Sequence, residues 1–308
     1  MANQKPRRRI TFVTGINENY FLLACQLMDS LEEHLPLIPL RIMDFGLSEG
    51  QQEYFRRRGV LMPMPPGVPR DAHSFVFKSS IGSLFTPELG TPVWIDADII
   101  AVADGTQAMH DLAASMEAEG QRFALAPDCG LPDGAGHTLS SFCARYPCAN
   151  TDKRLAAKPE MGARPYLNTG FIMFREGDRL DDWRETAAAL AHDTVWEQNA
   201  MNVLCYDGTA RARQLDARSW NAHGSLLEKL SPDGAGYRCD GAPLWFVHAT
   251  SPFSQLLEQG QVNFDFGPFA YSNFFKFFTY PALRQWQWNF IERFVSNNHE
   301  EMRELGIL

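Results

Sequence analysis

The apolar residues of the first hundred positions fall alternately into short β-branched runs and into stretches with helical spacing. Residues 10–15 read as a buried strand, and Asn17-Glu18-Asn19-Tyr20 as the polar turn leaving it. Over 21–31, Leu22, Leu23, Leu27 and Leu31, joined by Cys25 and Met28, recur at the interval of a helix face, so strand, turn and helix form one unit. A second strand at 40–44 leads to Ser48, a helix cap for 49–58, with Gly59 as its stop. A stiff proline-rich connector at 63–69 and a helix over 74–84 deliver the chain to Val93-Trp94-Ile95-Asp96-Ala97-Asp98-Ile99-Ile100. This alternation predicts an α/β fold with a mostly parallel, doubly wound sheet and ligands at the carboxyl ends of its strands.

Further on, 107–119 reads as a helix and 123–127 as a strand ending at Asp128. The segment 129–165 is rich in Gly and Pro, has no clear period, and reads as a long loop of the functional kind. A strand over 166–175 carries the polar interruption Asn168-Thr169-Gly170, and helices at 182–192 and 196–204 follow, the second bearing Glu197, Gln198, Asn199 and Asn202. Residues 244–247 form a last buried strand, ended by His248. The stretch 264–294 is aromatic throughout, with Phe274-Phe275-Lys276-Phe277-Phe278 and Trp286-Gln287-Trp288. Packing against the main sheet, a homo-oligomer contact and a peripheral membrane contact are the uses open to it, and the acidic end at 299–304 fits a solvated helix. The expected division is a catalytic domain over 1–255 and an aromatic-rich, helical C-terminal extension over 256–308.

With 308 residues the chain can bury a large core, and a net charge of -9 argues against a general nucleic-acid binder, which needs a basic footprint. Arg7-Arg8-Arg9 leads straight into the first strand without a signal-peptide apolar region, and no segment is apolar enough to span a bilayer, so the sequence reads as cytoplasmic. The six cysteines include no C-x-x-C pair; Cys143 and Cys148 fit free thiols better than a zinc knuckle or a disulfide.

The candidate chemistry centres on Asp96 and Asp98. Two carboxylates interrupting an apolar run are costly to bury alone, so they belong at a strand end or around a shared cation. In extended geometry they point to one side, where hard oxygen ligands converge on a divalent metal. Asp96-Ala97-Asp98, Thr14-Gly15-Ile16-Asn17-Glu18-Asn19-Tyr20, Tyr166-Leu167-Asn168-Thr169-Gly170-Phe171, Glu197-Gln198-Asn199 with Asn202, and His248 occur in an order and spacing that resembles GT-A glycosyltransferases, most closely glycosyltransferase family 8, which includes glycogenin and bacterial lipopolysaccharide galactosyltransferases.

The resemblance implies a metal site of Asp96, Asp98 and His248 holding Mn2+ or Mg2+, with the imidazole favouring Mn2+. It implies nucleotide-sugar contacts from Thr14, Asn17, Asn19, Tyr20, Lys78, Asp96, Ala97, Asp98, Asn168 and Thr169. Tyr20 would stack on the base, Lys78 would balance diphosphate charge, and Gly170 would allow close backbone approach. Catalytic roles fall to Gln198, whose amide oxygen would face an oxocarbenium-like centre, to Glu197 as the stronger base by charge, and to Asp128 as the sugar-binding carboxylate. The implied reaction is retaining, metal-dependent transfer of a hexose from a nucleotide-diphosphate sugar, UDP-linked, to a saccharide or other hydroxyl acceptor. The chain departs from the family after His248: Ala249-Thr250-Ser251-Pro252-Phe253 keeps a proline and an aromatic but lacks the phosphate-gripping lysine. That absence leaves a binding module without turnover as the alternative. A sugar nucleotidyltransferase would need a basic, Gly-rich loop where this chain has an acidic, amide-rich one.

Overall fold

A computed structural model describes residues 8–129, 136–208, 210–234, 236–250, 257–265 and 270–308. The first strand, β1 (Ile10–Ile16), turns through Asn17, whose side chain accepts from Asn19 N–H, into α1 (Phe21–His34). Strand β2 (Leu40–Asp44) follows, then α2 (Glu49–Arg57), which opens with a reciprocal capping box between Ser48 and Gln51. Beyond α2, Gly59 takes the left-handed φ of 67° that the stop requires. After the two-residue β3 (Leu61–Met62) and the proline-rich connector, the expected helix is split into α3 (Ser74–Ser79) and a 3-10 turn over Ile81–Leu84.

The acidic run is not one strand. β4 (Thr91–Ile95) stops before Asp96, a turn closed by Ile99 N–H donating to Asp96 O contains the two acids, and β5 (Ile99–Ala101) leaves in a new direction. Helix α4 (Thr106–Ala118) leads to β6 (Phe123–Pro127). The segment expected to be a long loop contains α5 (Leu139–Arg145), capped reciprocally by Thr138 and Ser141, and α6 (Ala149–Ala157). Its part at 130–135 lies outside the described residues. Strand β7 (Leu167–Phe174) is buried at every position, and α7 (Asp181–Ala189) and α8 (Trp196–Tyr206) follow. The strands β3-β2-β1-β4-β7-β6-β8, with β8 at Ala212–Gln214, make one seven-stranded sheet. β7 runs antiparallel between β4 and β6, and the other neighbours are parallel.

The short helix α9 (Ala217–Trp220) precedes a small antiparallel sheet of β9 (Leu230–Asp233), β10 (Gly236–Cys239) and β11 (Ala242–Pro243). Strand β12 (Phe246–His248) then pairs antiparallel with β5, setting His248 opposite Ile99. The C-terminal region adds a hairpin, β13 (Leu257–Asp265) with β14 (Ala270–Phe278), ahead of its long helix α10 (Pro281–Glu304).

Among the described residues, several of the C-terminal aromatic rings point inward. Phe275, Phe278, Phe290 and Phe294 are buried, in one hydrophobic cluster that also contains Phe12, Phe21 and Phe55. Trp288, at 41 % exposed, stacks on Phe277. The acidic end is only partly solvated: Arg58 donates to Glu301 at 2.7 Å and Arg57 to Glu304 at 3.0 Å, tying α10 to α2. The expected boundary between 255 and 256 falls outside the described residues. No described helix is long and apolar enough to cross a membrane, and all six cysteines are buried free thiols.

Candidate functional site

Antiparallel pairing of β5 with β12 is the local reason the site exists, because it carries the chain past Asp98 and lays His248 beside it. Ala249 N–H donates to Asp98 O at 2.9 Å, fixing that approach. One ligand atom from each of Asp96, Asp98 and His248 lies within 4.8 Å of the others. His248 Nε2 is 3.1 Å from Asp98 Oδ1 and 3.9 Å from Asp96 Oδ2. The other oxygen of Asp96 is already used, accepting from Trp94 Nε1 at 2.6 Å and from Lys78 Nζ at 3.0 Å. Two carboxylate oxygens and an imidazole nitrogen therefore face one another with their remaining donors and acceptors spent elsewhere.

The proton of His248 is positioned by a relay of amides. Gly170 N–H can only donate, and it donates to Asn168 Oδ1 at 2.8 Å. That oxygen also accepts from Asn221 Nδ2 at 2.8 Å, so Asn221 Oδ1 faces His248 Nδ1 at 2.9 Å and takes its proton in a hydrogen bond. Nε2, 3.1 Å from Asp98 Oδ1, is thus the nitrogen turned toward the carboxylates, and a ring that keeps only its Nδ1 proton presents there the lone pair a metal ion requires. Gly170 is needed here for a reason the sequence did not indicate: a Cβ on it would lie 2.3 Å from His248 Cε1, so the close approach it permits is to the imidazole.

These side chains line a cleft of about 370 Å3, within the usual range for small-molecule sites. Asn17, Tyr20, Lys78, Asp96, Ala97, Asp98, Asn168, Thr169, Glu197, Gln198 and His248 all face it. Thr14 does not, being wholly buried within β1. Asn19 is exposed on the turn and does not line the cleft either. Asp128 lies behind the lining, where its Oδ2 accepts from Asn168 Nδ2 at 3.1 Å and Gln198 Nε2 at 3.2 Å. The amide oxygen of Gln198 accepts from Thr169 N–H at 3.0 Å, which fixes the orientation of that amide.

Glu197 is 3 % exposed and is surrounded by donors: Lys78 Nζ at 3.3 Å, Thr169 Oγ1 at 2.8 Å and Gln198 N–H at 2.6 Å. Burial raises its pKa above the ordinary carboxylate value despite Lys78. At the edge of the cleft it is the counter-charge of Lys78. Burial opposes the charge of Asp98 as well, but Lys276 and His248 outweigh it and hold its carboxyl well below the usual range. Val195, directly before α8, lines the cleft with a left-handed φ of 44°, an uncommon conformation for a β-branched residue.

Three contributors escaped the sequence reading. Asn221 orients His248, and buried His223 places Nε2 at 3.2 Å from Asp128 Oδ1, the carboxylate raising its pKa against the effect of burial. Lys276 donates to Asp98 from β14. Nothing in local patterning marks an asparagine or histidine in an irregular segment, and Lys276 lay within an aromatic run whose partners are distant in sequence. Ser251, Pro252 and Phe253 lie outside the described residues.

The sheet order, the acidic turn after β4 and the crossing of β5 with β12 together make this a GT-A glycosyltransferase fold. The chain is similar to the apo structure of WbbM, a bifunctional glycosyltransferase (TM-score 0.51, 16 % identity, covering 80 % of this chain and 46 % of that one). It is also similar to apo mouse xyloside xylosyltransferase 1 (TM-score 0.50, 12 % identity, 78 % and 97 % covered) and to the apo glycosyltransferase GlyE of Streptococcus pneumoniae TIGR4 (0.50, 14 %, 92 % and 60 %). The chain thus spans less than half of WbbM and 60 % of GlyE. At such identities the likeness establishes the architecture. No family model and no curated protein matches the chain.

Proposed function

We propose that the protein is a metal-dependent, retaining glycosyltransferase that moves a hexose from a UDP-linked donor to a hydroxyl acceptor. The observation that carries this reading is the convergence of Asp96, Asp98 and His248 at one cleft of a glycosyltransferase fold. Their donor set, two carboxylates and an imidazole whose Nδ1 is engaged by Asn221, suits Mn2+ or Mg2+, the imidazole favouring Mn2+. When bound, the ion would supply Lewis-acid stabilisation of the leaving diphosphate, worth several kcal/mol.

The chain's own residues divide the remaining work. Tyr20 offers its ring to the nucleotide base, and Asn17 offers hydrogen bonds to the ribose. Lys78, held by Asp96 and Glu197, contributes positive charge under the diphosphate. Asn168 orients the sugar hydroxyls, with Asp128 locking its amide. Gln198, whose amide oxygen accepts from Thr169 N–H, offers the second lone pair of that oxygen to the anomeric carbon as positive charge develops there, and the acceptor hydroxyl enters on the leaving-group side, giving retention. The segment around α5 and α6 and the C-terminal hairpin are the acceptor-recognition elements.

Titration with UDP in the presence and absence of Mn2+, followed by a scan of UDP-sugars for release of UDP, tests this directly. The reading predicts metal-dependent UDP binding and turnover of at least one donor. UDP binding without release of sugar from any donor or acceptor pair would mark a binding module instead, and binding of nucleoside triphosphate with sugar phosphate would mark a nucleotidyltransferase.

A further inference from the structure

The cleft has two lysines among its lining residues, Lys78 and Lys276, and they are differently placed. Lys78 is spoken for on two sides, by Asp96 at 3.0 Å and Glu197 at 3.3 Å. Lys276 comes from β14, nearly thirty residues after His248, and its ammonium sits on Asp98 Oδ2 with only 13 % of the side chain exposed. Its strand is docked firmly: Asn273 accepts from Leu22 N–H at 3.1 Å at the start of α1, and Phe274 packs on Tyr20 at 5.6 Å between ring centroids. The segment 249–256 contains no lysine or arginine, so no cation arrives from the residues that follow His248.

One carboxylate therefore carries an ammonium on Oδ2 while its Oδ1 faces the imidazole of a metal triad. A divalent cation at that triad and an ammonium on the same carboxylate would repel at contact range, in a site where water screens little. Lysine has a flexible four-carbon stem and rotatable donors, so it can transfer to another anion within reach without moving its strand. The anion that enters with the metal is the diphosphate. We propose that Lys276 is an exchangeable counter-cation: it neutralises Asp98 in the free protein, yields that carboxylate to the divalent ion, and moves onto the nucleotide diphosphate. This rests on the nucleotide-sugar reading above and assigns to the C-terminal hairpin the phosphate-binding charge that the segment after His248 lacks.

The test uses the full chain carrying Lys276→Met, with Lys276→Gln as a second variant should the first fail to fold by circular dichroism. Free Mn2+ is followed by electron paramagnetic resonance without nucleotide, and UDP and UMP affinities are measured calorimetrically at saturating Mn2+. Removing the competing ammonium should tighten Mn2+ binding alone by about tenfold, while UDP binding weakens by about tenfold and UMP binding by much less. Lys276→Arg should restore most of the UDP affinity. These opposite signs are what a merely structural lysine would not give. Unchanged or weaker Mn2+ binding in the variants, or equal losses for UDP and UMP, would overturn the exchange. Failure of the wild-type protein to bind Mn2+ or UDP would instead remove the transferase reading on which the exchange depends.

Discussion

Asn221 bears on the site from behind it, without lining the cleft. Its amide is oriented by Asn168, which is itself oriented by Gly170 N–H, and it fixes the proton of His248 on Nδ1. Replacing an outer partner of a metal-binding imidazole commonly weakens metal binding by about 10–100-fold. Asn221→Ala should show a loss of that order in Mn2+ affinity, and Asn221→Gln should not recover it, because the longer side chain cannot keep both hydrogen bonds. Unaltered affinity in the alanine variant would remove the amide relay from the account. Asp96, Asp98 and about half of the residues that line the cleft were legible in the sequence, since Asp-x-Asp, Asn-Thr-Gly and Glu-Gln-Asn are local patterns. What the sequence could not show for Glu197 is its surroundings, since only the fold reveals that Lys78, Thr169 and a backbone N–H hydrogen-bond to it. Thr14 was included on its place in a motif, whereas its position in β1 buries it in the sheet.

Among the elements, α7 and α8 show how the sheet supports the cleft. Arg122, at the entry to β6, donates to Asp178 at 2.7 Å and Asp182 at 2.6 Å, and Trp183 from α7 donates to Glu197 O at 2.9 Å at the start of α8. Hydrogen bonding to Arg122 holds the Asp182 carboxyl below its usual pKa. Its contribution to stability is thus fully present above the ordinary carboxylate pKa of about 4 and is lost as pH falls through the depressed folded value. Asp182 is more than a third exposed, so screening limits the effect to about 1 kcal/mol or less. Thermal melts between pH 7 and pH 3 should show a shallower acid decline for Asp182→Asn than for the wild type; parallel declines would contradict the assignment. The long strands and helices were readable because each carries its own hydrophobic period, and the Ser48 cap was readable from its residue type. Helices α5 and α6 were not, being 7 and 9 residues long, too short to display a helical period. The departure of β5 toward β12 was hidden because it depends on a partner about 150 residues away, and local pattern carries no such information.

For the molecule as a whole, the aromatic C-terminal region is part of the same core as the sheet. Phe294 lies 6.3 Å from both Phe21 and Tyr54 and 5.5 Å from Phe290, so α10 is packed on the first two helices of the sheet domain. Phe294→Ala should cost about 3–5 kcal/mol and shift a single thermal transition to lower temperature; a separate C-terminal transition would contradict the shared core. Sequence alone predicted the α/β class and pointed to inward packing as one use of these rings. It could not distinguish the hairpin from helix, since the run Phe274-Phe275-Lys276-Phe277-Phe278 is apolar on both faces and has no decisive period. What joins fold, cleft and proposed chemistry is one cation shared by the triad and a diphosphate. An anomalous difference map from crystals grown with Mn2+ and UDP tests that claim most directly. The account predicts a single manganese peak bounded by Asp96, Asp98 and His248 and touching the UDP diphosphate; a nucleotide bound without manganese there, or manganese bound elsewhere, would contradict it.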